Sequence, residues 1–132
     1  MSDHFNIEIV NPEKSFLSKE NVSEVVIPAF EGEIGILKDH IPIISFLKPG
    51  IIKVFTGTEE ENYYVDDGIV EFKDNSLSIL TSSIFNLKDI DKNHINNSIS
   101  EAEKELSKDE IDDQKRFLLN HKVEVLKSLS IN

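Results

Sequence analysis

The sequence predicts an α+β chain: an antiparallel β-sandwich over residues 1–86, followed by an antiparallel two-helix hairpin over residues 87–132. Three observations predict it. All five glycines and all four prolines fall within residues 1–86, and none falls in 87–132. Apolar residues alternate with period two in short runs of the first part, then switch to helical spacing in the second. Charge divides at the same place, with 6 basic and 15 acidic side chains (net −9) before it and 8 and 10 (net −2) after it. No helical pattern interrupts the apolar runs of the first part, so a parallel βαβ sheet is not expected.

Taken in order, Phe5-Asn6-Ile7-Glu8-Ile9 alternates and stops at Asn11-Pro12. Val22 to Ile27 reads as a strand ended by Pro28. Ile41 to Phe46 is a further apolar run, and the turn Lys48-Pro49-Gly50 leads into Ile51–Phe55. Tyr63–Val65, Ile69–Phe72 and Leu77–Leu80 complete the strands, with Asp67-Gly68 and Asp74-Asn75 as the turns between them. Ile95, Ile99, Ala102 and Leu106 follow 4-3-4 steps on one helix face, with Asp91 as its N-cap. Ser107-Lys108-Asp109-Glu110 has the form of a capping box, which predicts that the second helix starts at Ser107. Its stripe is Leu119, Val123 and Leu126. Two short helices bury little area on each other, so the hairpin is expected to be marginal and potentially mobile.

Composition excludes several classes. The chain has no cysteine, which removes disulfide scaffolds, thiolate metal sites and cysteine nucleophiles. A net charge of −11 opposes binding to nucleic acid or an anionic lipid surface. No apolar run reaches the roughly 20 residues that cross a bilayer, and Met1-Ser2-Asp3-His4 lacks the basic and apolar regions of a signal peptide. A soluble protein, associated with membranes only through a partner, is the expectation.

Signals for chemistry are sparse. Neither phosphate-cradling glycine motif is present. His4, His40, His94 and His121 have no second histidine one helical turn away, and no metal site is predicted. Glu31, Glu33 and Asp39 could form an acid/base pair in a hydrolase, but their glycine-rich surroundings favour solvated loop carboxylates. Glu59-Glu60-Glu61 reads as a solvated hairpin tip, and Asp109–Asp113 as acids in a helix's first turns. A stand-alone module binding carbohydrate or peptide would need an aromatic platform, for which Tyr63 and Tyr64 are the candidates. The unusual segment is Ile34 to Ile52, strongly apolar and punctuated by Gly35, Pro42, Pro49 and Gly50. It is either a core strand pair or an exposed docking edge.

Here the sequence resembles a known family. Val26-Ile27-Pro28, Glu31-Gly32-Glu33-Ile34-Gly35-Ile36-Leu37, His40-Ile41-Pro42 and Leu47-Lys48-Pro49-Gly50 resemble the epsilon subunit of the F-type, proton-translocating ATP synthase. Asp67-Gly68-Ile69-Val70-Glu71-Phe72 through Leu77–Leu80 resembles that family's Gly-Gly-x-x-Glu-Val strand pair, with Asp67 at the first glycine and expected to keep its left-handed turn. Ile90-Asp91 falls where the family enters its first helix.

The resemblance implies a sandwich of about ten strands and a helical hairpin in a non-catalytic subunit of the rotating central stalk. It implies the gamma subunit, the ring of c subunits and the catalytic alpha/beta head as partners. It implies a peripheral position on the cytoplasmic face of a bacterial inner membrane, held there by the complex. On this chain it assigns the c-ring contact to Glu31, Glu33 and His40. It makes the hairpin a regulator of ATP hydrolysis, with Lys115, Arg116, Lys122 and Lys127 as inhibitory contacts. The nucleotide motif Ile-Asp-x-x-Arg-Ala reads Ile90-Asp91-Lys92-Asn93-His94-Ile95 here, without the bidentate arginine, so no cofactor is assigned.

Overall fold

A computed structural model describes residues 4–12 and 14–130. The chain forms two compact units, Met1–Leu87 and Lys88–Asn132. Among the described residues, the first holds ten strands: β1 (Phe5–Asn11), β2 (Lys14–Val22), β3 (Glu24–Ala29), β4 (Gly32–Leu37), β5 (Ile43–Leu47), β6 (Gly50–Thr56), β7 (Glu59–Val65), β8 (Gly68–Lys73), β9 (Ser76–Leu80) and β10 (Ile84–Asn86). They hydrogen-bond in the order β10-β7-β6-β3-β5-β8-β9-β1-β2, with β4 added on β3. Every pair is antiparallel except β1 with β9. The layers share one core, in which Ile7, Ile9, Val25, Ile27, Ile36, Ile52, Val70, Phe72, Leu77 and Ile79 are essentially sealed from solvent. Phe5 meets Phe72 edge to face at 5.5 Å. Lys19 of β2 pairs with Glu61 of β7, and Tyr63 Oη donates to the same carboxylate at 2.8 Å.

Four details of the first unit depart from the sequence reading. Pro28 does not end its strand: β3 continues to Ala29, and the proline pairs with Glu33 of β4 while its carbonyl accepts from Lys48 N at 3.0 Å. Proline lacks only the donor, so its acceptor side still serves the sheet. The acidic run Glu59–Glu61 is strand rather than tip, paired with Phe55, Thr56 and Val54 of β6, and the tip is Gly57 at φ 63° with Thr58. Asp67 does not adopt the left-handed backbone; its carbonyl accepts from Thr81 Oγ1 at 2.6 Å, which holds the turn instead. Strands β2 and β10 carried too little alternation to be recognised, and β4 reads only as part of the apolar segment that begins at Ile34. At Asp74-Asn75 both residues are left-handed (φ 51° and 58°), the geometry of the tight hairpin predicted there.

The second unit holds α1 (Lys92–Leu106) and α2 (Asp113–Ser130), preceded by a 3-10 turn at Leu87–Asp89. Asp91 caps α1, its Oδ1 accepting from His94 N at 2.7 Å. Among the described residues of this unit, Ile95, Ala102, Val123 and Leu126 become buried. The second helix does not begin at Ser107. That residue is spent as the C-cap of α1: its amide bonds back to Glu103 O and Lys104 O, and its Oγ donates to Lys104 O at 2.7 Å. Asp112 caps α2 instead, accepting from Lys115 N at 2.7 Å. The acids Asp109 and Glu110 therefore lie in the connection rather than in a first helical turn. Asp112→Ala is expected to lower the stability of the helical unit by about 1 kcal/mol, and Ser107→Ala by less than half of that. Helical circular dichroism on heating separates them, and a larger loss in Ser107→Ala would restore the capping box.

Candidate docking surface

Strand register places an apolar row on the outer face of the β5-β8-β9-β1 layer. Phe46 lies opposite Ile69, Ile69 opposite Leu80, and Leu80 opposite Val10. The inward neighbours Val70, Ile79 and Ile9 point into the core, so the row must point out. Phe46, Ile69 and Leu80 are 56%, 44% and 50% exposed, and Val10 is half-buried. Phe30 extends the row, its amide bonding to Phe46 O at 3.1 Å. The next row along the same strands is Ile44, Glu71, Ser78 and Glu8, so an exposed isoleucine and two acids border the apolar strip. Isolated exposed apolar residues are ordinary, but four in register across four strands make a continuous patch.

The structure places the three expected ring-contact residues around β5 without gathering them into one cluster. Glu31 lies in the turn before β4 and is held by Ser45 of β5, whose Oγ donates to it at 3.1 Å. Glu33 is exposed on β4, opposite Pro28. His40 follows β4, so a six-residue strand, about 20 Å of backbone, separates it from Glu31 along the chain. Its Nδ1 donates to Ile41 O at 2.7 Å and its ring stands edge-on to Phe72 at 6.0 Å. Such a spread from Glu31 to His40 suits a contact surface.

Tyr63 and Tyr64, the platform a stand-alone module would need, are buried instead. Burial pushes the pKa of both hydroxyls up and so keeps them protonated, and for Tyr64 the Asp66 carboxylate that accepts its hydrogen bond at 2.8 Å adds to the effect. Tyr64 also stacks on Phe85 at 5.1 Å. Both tyrosines belong to the packing of β7.

In the helical unit the expected cationic contacts are engaged within the hairpin. Lys115 Nζ lies 3.3 Å from Glu105, Lys127 Nζ lies 3.6 Å from Glu103, and Arg116 Nη1 donates to Leu106 O at 3.4 Å. Lys122 is half-buried on α2. The Lys108 ammonium, bonded to Glu105 at 2.7 Å, and Lys115 beside it hold the Glu105 carboxyl below the usual range. These are solvent-exposed pairs and stabilise little individually.

Residues 4–87 match the family model described as ATP synthase, Delta/Epsilon chain, beta-sandwich domain. The chain belongs to the ATP synthase epsilon-chain family. It is 65% identical to the ATP synthase epsilon chain of Pelagibacter ubique (strain HTCC1062) over 130 residues, covering 98% of this chain and 100% of that one. It is 35% identical over 122 residues to the ATP synthase epsilon chain of Rhizobium etli (strain CIAT 652), covering 92% and 89%. In fold it is similar to a chain in a cryo-EM structure of the Euglena gracilis mitochondrial ATP synthase, with a TM-score of 0.77 at 22% identity over 99% of this chain and 82% of that one. A chain in the central stalk/c-ring structure of the Tetrahymena thermophila mitochondrial ATP synthase gives a TM-score of 0.73 at 16% identity, covering 98% of each. This epsilon-family chain joins a β-sandwich to two helices, and no helix among its described residues is long and apolar enough to cross a membrane.

The residues of the outer row, apart from Phe46, escaped the sequence reading. A signal was present in Ile43-Ile44-Ser45-Phe46-Leu47, where the outward phase is as apolar as the inward one and the inward phase contains a serine. A strand without alternation is a strand expecting cover on both faces.

Proposed function

We propose that this chain is a non-catalytic rotor subunit of a bacterial proton-translocating ATP synthase. The carrying observation is the apolar row Phe46–Ile69–Leu80–Val10 on the outer sandwich face, which a free monomer would leave wet. The gamma subunit of the central stalk is the partner that covers it. The edge carrying Glu31, Glu33 and His40 faces the c ring, whose polar loops carry complementary charge, with apolar contact from Ile41 and Ile44 supplying adhesion. The subunit sits peripherally at the cytoplasmic face of the membrane through these partners.

The helical hairpin restrains ATP hydrolysis by the catalytic alpha/beta head. Its buried interface is small, and Lys115 and Lys127 are held by surface pairs that exchange readily for another acidic partner. One experiment tests both parts. The full chain and residues 1–87 are each combined with gamma and the catalytic head. Both are expected to co-purify with gamma one to one, and the head is expected to hydrolyse ATP more slowly with the full chain. No retention on gamma removes the rotor reading; retention with equal hydrolysis rates removes only the regulatory one.

A further inference from the structure

We propose that Asp39 and Asn75 form a positioning clasp that presents His40-Ile41-Pro42 as a preformed docking edge for the c ring. The inference rests on the reading above that this edge faces the ring, and it adds the device that sets the edge's conformation. Asp39 N donates to Asn75 Oδ1 at 2.7 Å, and Asn75 Nδ2 donates back to Asp39 Oδ1 at 3.0 Å. The two residues are 36 positions apart in sequence, so the pair fastens the loop between β4 and β5 to the turn between β8 and β9. The turn is a firm anchor: Asn75 O accepts from Asn6 N at 3.1 Å, which ties it to β1, and Lys73 pairs with Ser76 across it.

Backbone geometry supports the assignment. Asp39 and Asn75 both hold left-handed φ angles, 66° and 58°. Glycine occupies that region without strain, and a non-glycine residue there is offset by what its side chain bonds. Here each side chain bonds the other. Beyond the clasp the loop is pinned again by His40, through its bond to Ile41 O and its ring against Phe72. Between these points Ile41 is 71% exposed, as is Ile44 at the start of β5. A loop that holds apolar side chains in water at a fixed position loses less freedom when a partner covers them.

The test uses full-length Asn75→Gly and Asp39→Gly, since glycine keeps both left-handed turns; Asn75→Gly removes both bonds of the clasp, and Asp39→Gly removes the side-chain bond alone, because the backbone N at 39 still donates to Asn75 Oδ1. A double variant, Asp39→Asn with Asn75→Asp, exchanges amide and carboxylate, so that the backbone N–H and side-chain amide at 39 both donate to the carboxylate at 75. Three quantities are read: the thermal midpoint, amide hydrogen exchange at position 39, and affinity for the detergent-solubilised c ring with gamma, alongside gamma alone. Each glycine variant is expected to bind the ring assembly more weakly, about threefold for Asp39→Gly (one bond lost) and about tenfold for Asn75→Gly (both lost), and Asn75→Gly, which removes the acceptor of the amide at 39, also to exchange faster there. The midpoint of each and its affinity for gamma alone should stay close to those of the unaltered chain. The exchanged pair should recover ring affinity and slow exchange. Unchanged ring affinity with accelerated exchange overturns the clasp, as does a double variant that binds as weakly as the single ones. Ile41→Ser and His40→Ala separate the two levels. If they leave ring binding intact, the docking reading fails and the clasp falls with it. If they weaken binding while the glycine variants do not, only the clasp is lost.

Discussion

A chain carrying Phe46→Asp together with Ile69→Asp is expected to fold normally and to lose gamma. The two residues face each other across β5 and β8, and both point away from the core. Neither contributes to the buried cluster, so the cost to folding should stay within about 1 kcal/mol in sum. The cost to docking is much larger. Phe46 and Ile69 are about half exposed, so covering what remains contributes about 1–1.5 kcal/mol each, and the substitution forfeits both. It also forces two carboxylates under the partner with no cation prepared for them, next to Glu71, which already borders the strip. A total of at least about 4 kcal/mol corresponds to roughly a thousandfold loss of affinity. Binding of the purified variant to gamma, with thermal unfolding measured beside it, checks the expectation. A variant that melts normally and still binds gamma within tenfold would show that the row is ordinary surface, and the proposed stalk role would lose its carrying observation.

How far the sequence discloses this surface depends on what each residue has to satisfy. Strands that alternate, such as Phe5–Ile9 and Gly68–Lys73, are readable because one face meets the core and the other meets water. Strand β2, Lys14–Val22, is not readable. It lies at the end of the sheet order and pairs with β1 through two register irregularities, which break the period. Capping shows a different limit. Ser107 and Glu110 have the right types at the right spacing, but Ser107 already ends α1, and a residue cannot both terminate one helix and start the next. Asp112, five residues on, had no pattern around it to single it out.

The candidate site divides in the same way. Glu31, Glu33 and His40 entered through a resemblance, and what the structure adds is their partners: Ser45 for Glu31, Ile41 and Phe72 for His40. The outer row could be suspected in β5 because its outward phase is as apolar as its inward one. Its continuation through Ile69, Leu80 and Val10 depends on the crossing order β5-β8-β9-β1. That order joins residues up to 70 positions apart, and no local pattern encodes it. The Asp39–Asn75 pair is of the same kind, since both residues read only as turn formers until the topology brings the two turns together.

The largest stability effect is expected at a residue with no side chain. A Cβ built on Gly50 would lie 2.6 Å from Pro28 Cβ and 3.0 Å from Pro28 Cγ. The backbone of Gly50 is not left-handed, so an alanine there suffers no conformational penalty and the clash stands alone. Neither partner can retreat easily. Gly50 is paired with Val65 of β7, and Pro28 is buried, paired with Glu33 and bonded through its carbonyl to Lys48 N. Gly50→Ala should therefore destabilise the sandwich by about 3 kcal/mol, the upper range for one methyl forced into a packed site. For a domain of this size that lowers the melting midpoint by roughly 12–24 °C. Gly35→Ala is the matched control, because its Cβ would meet only the end of the Glu24 side chain, at 3.2 Å, which can swing aside. Pro28→Gly supplies the decisive arm: with the ring gone, adding Gly50→Ala should cost less than about 1 kcal/mol more, a coupling that only contacting residues display. If Gly50→Ala melts with the unaltered chain, or if its cost is the same with and without the proline ring, the close approach of β6 to β3 is not what requires glycine at this position.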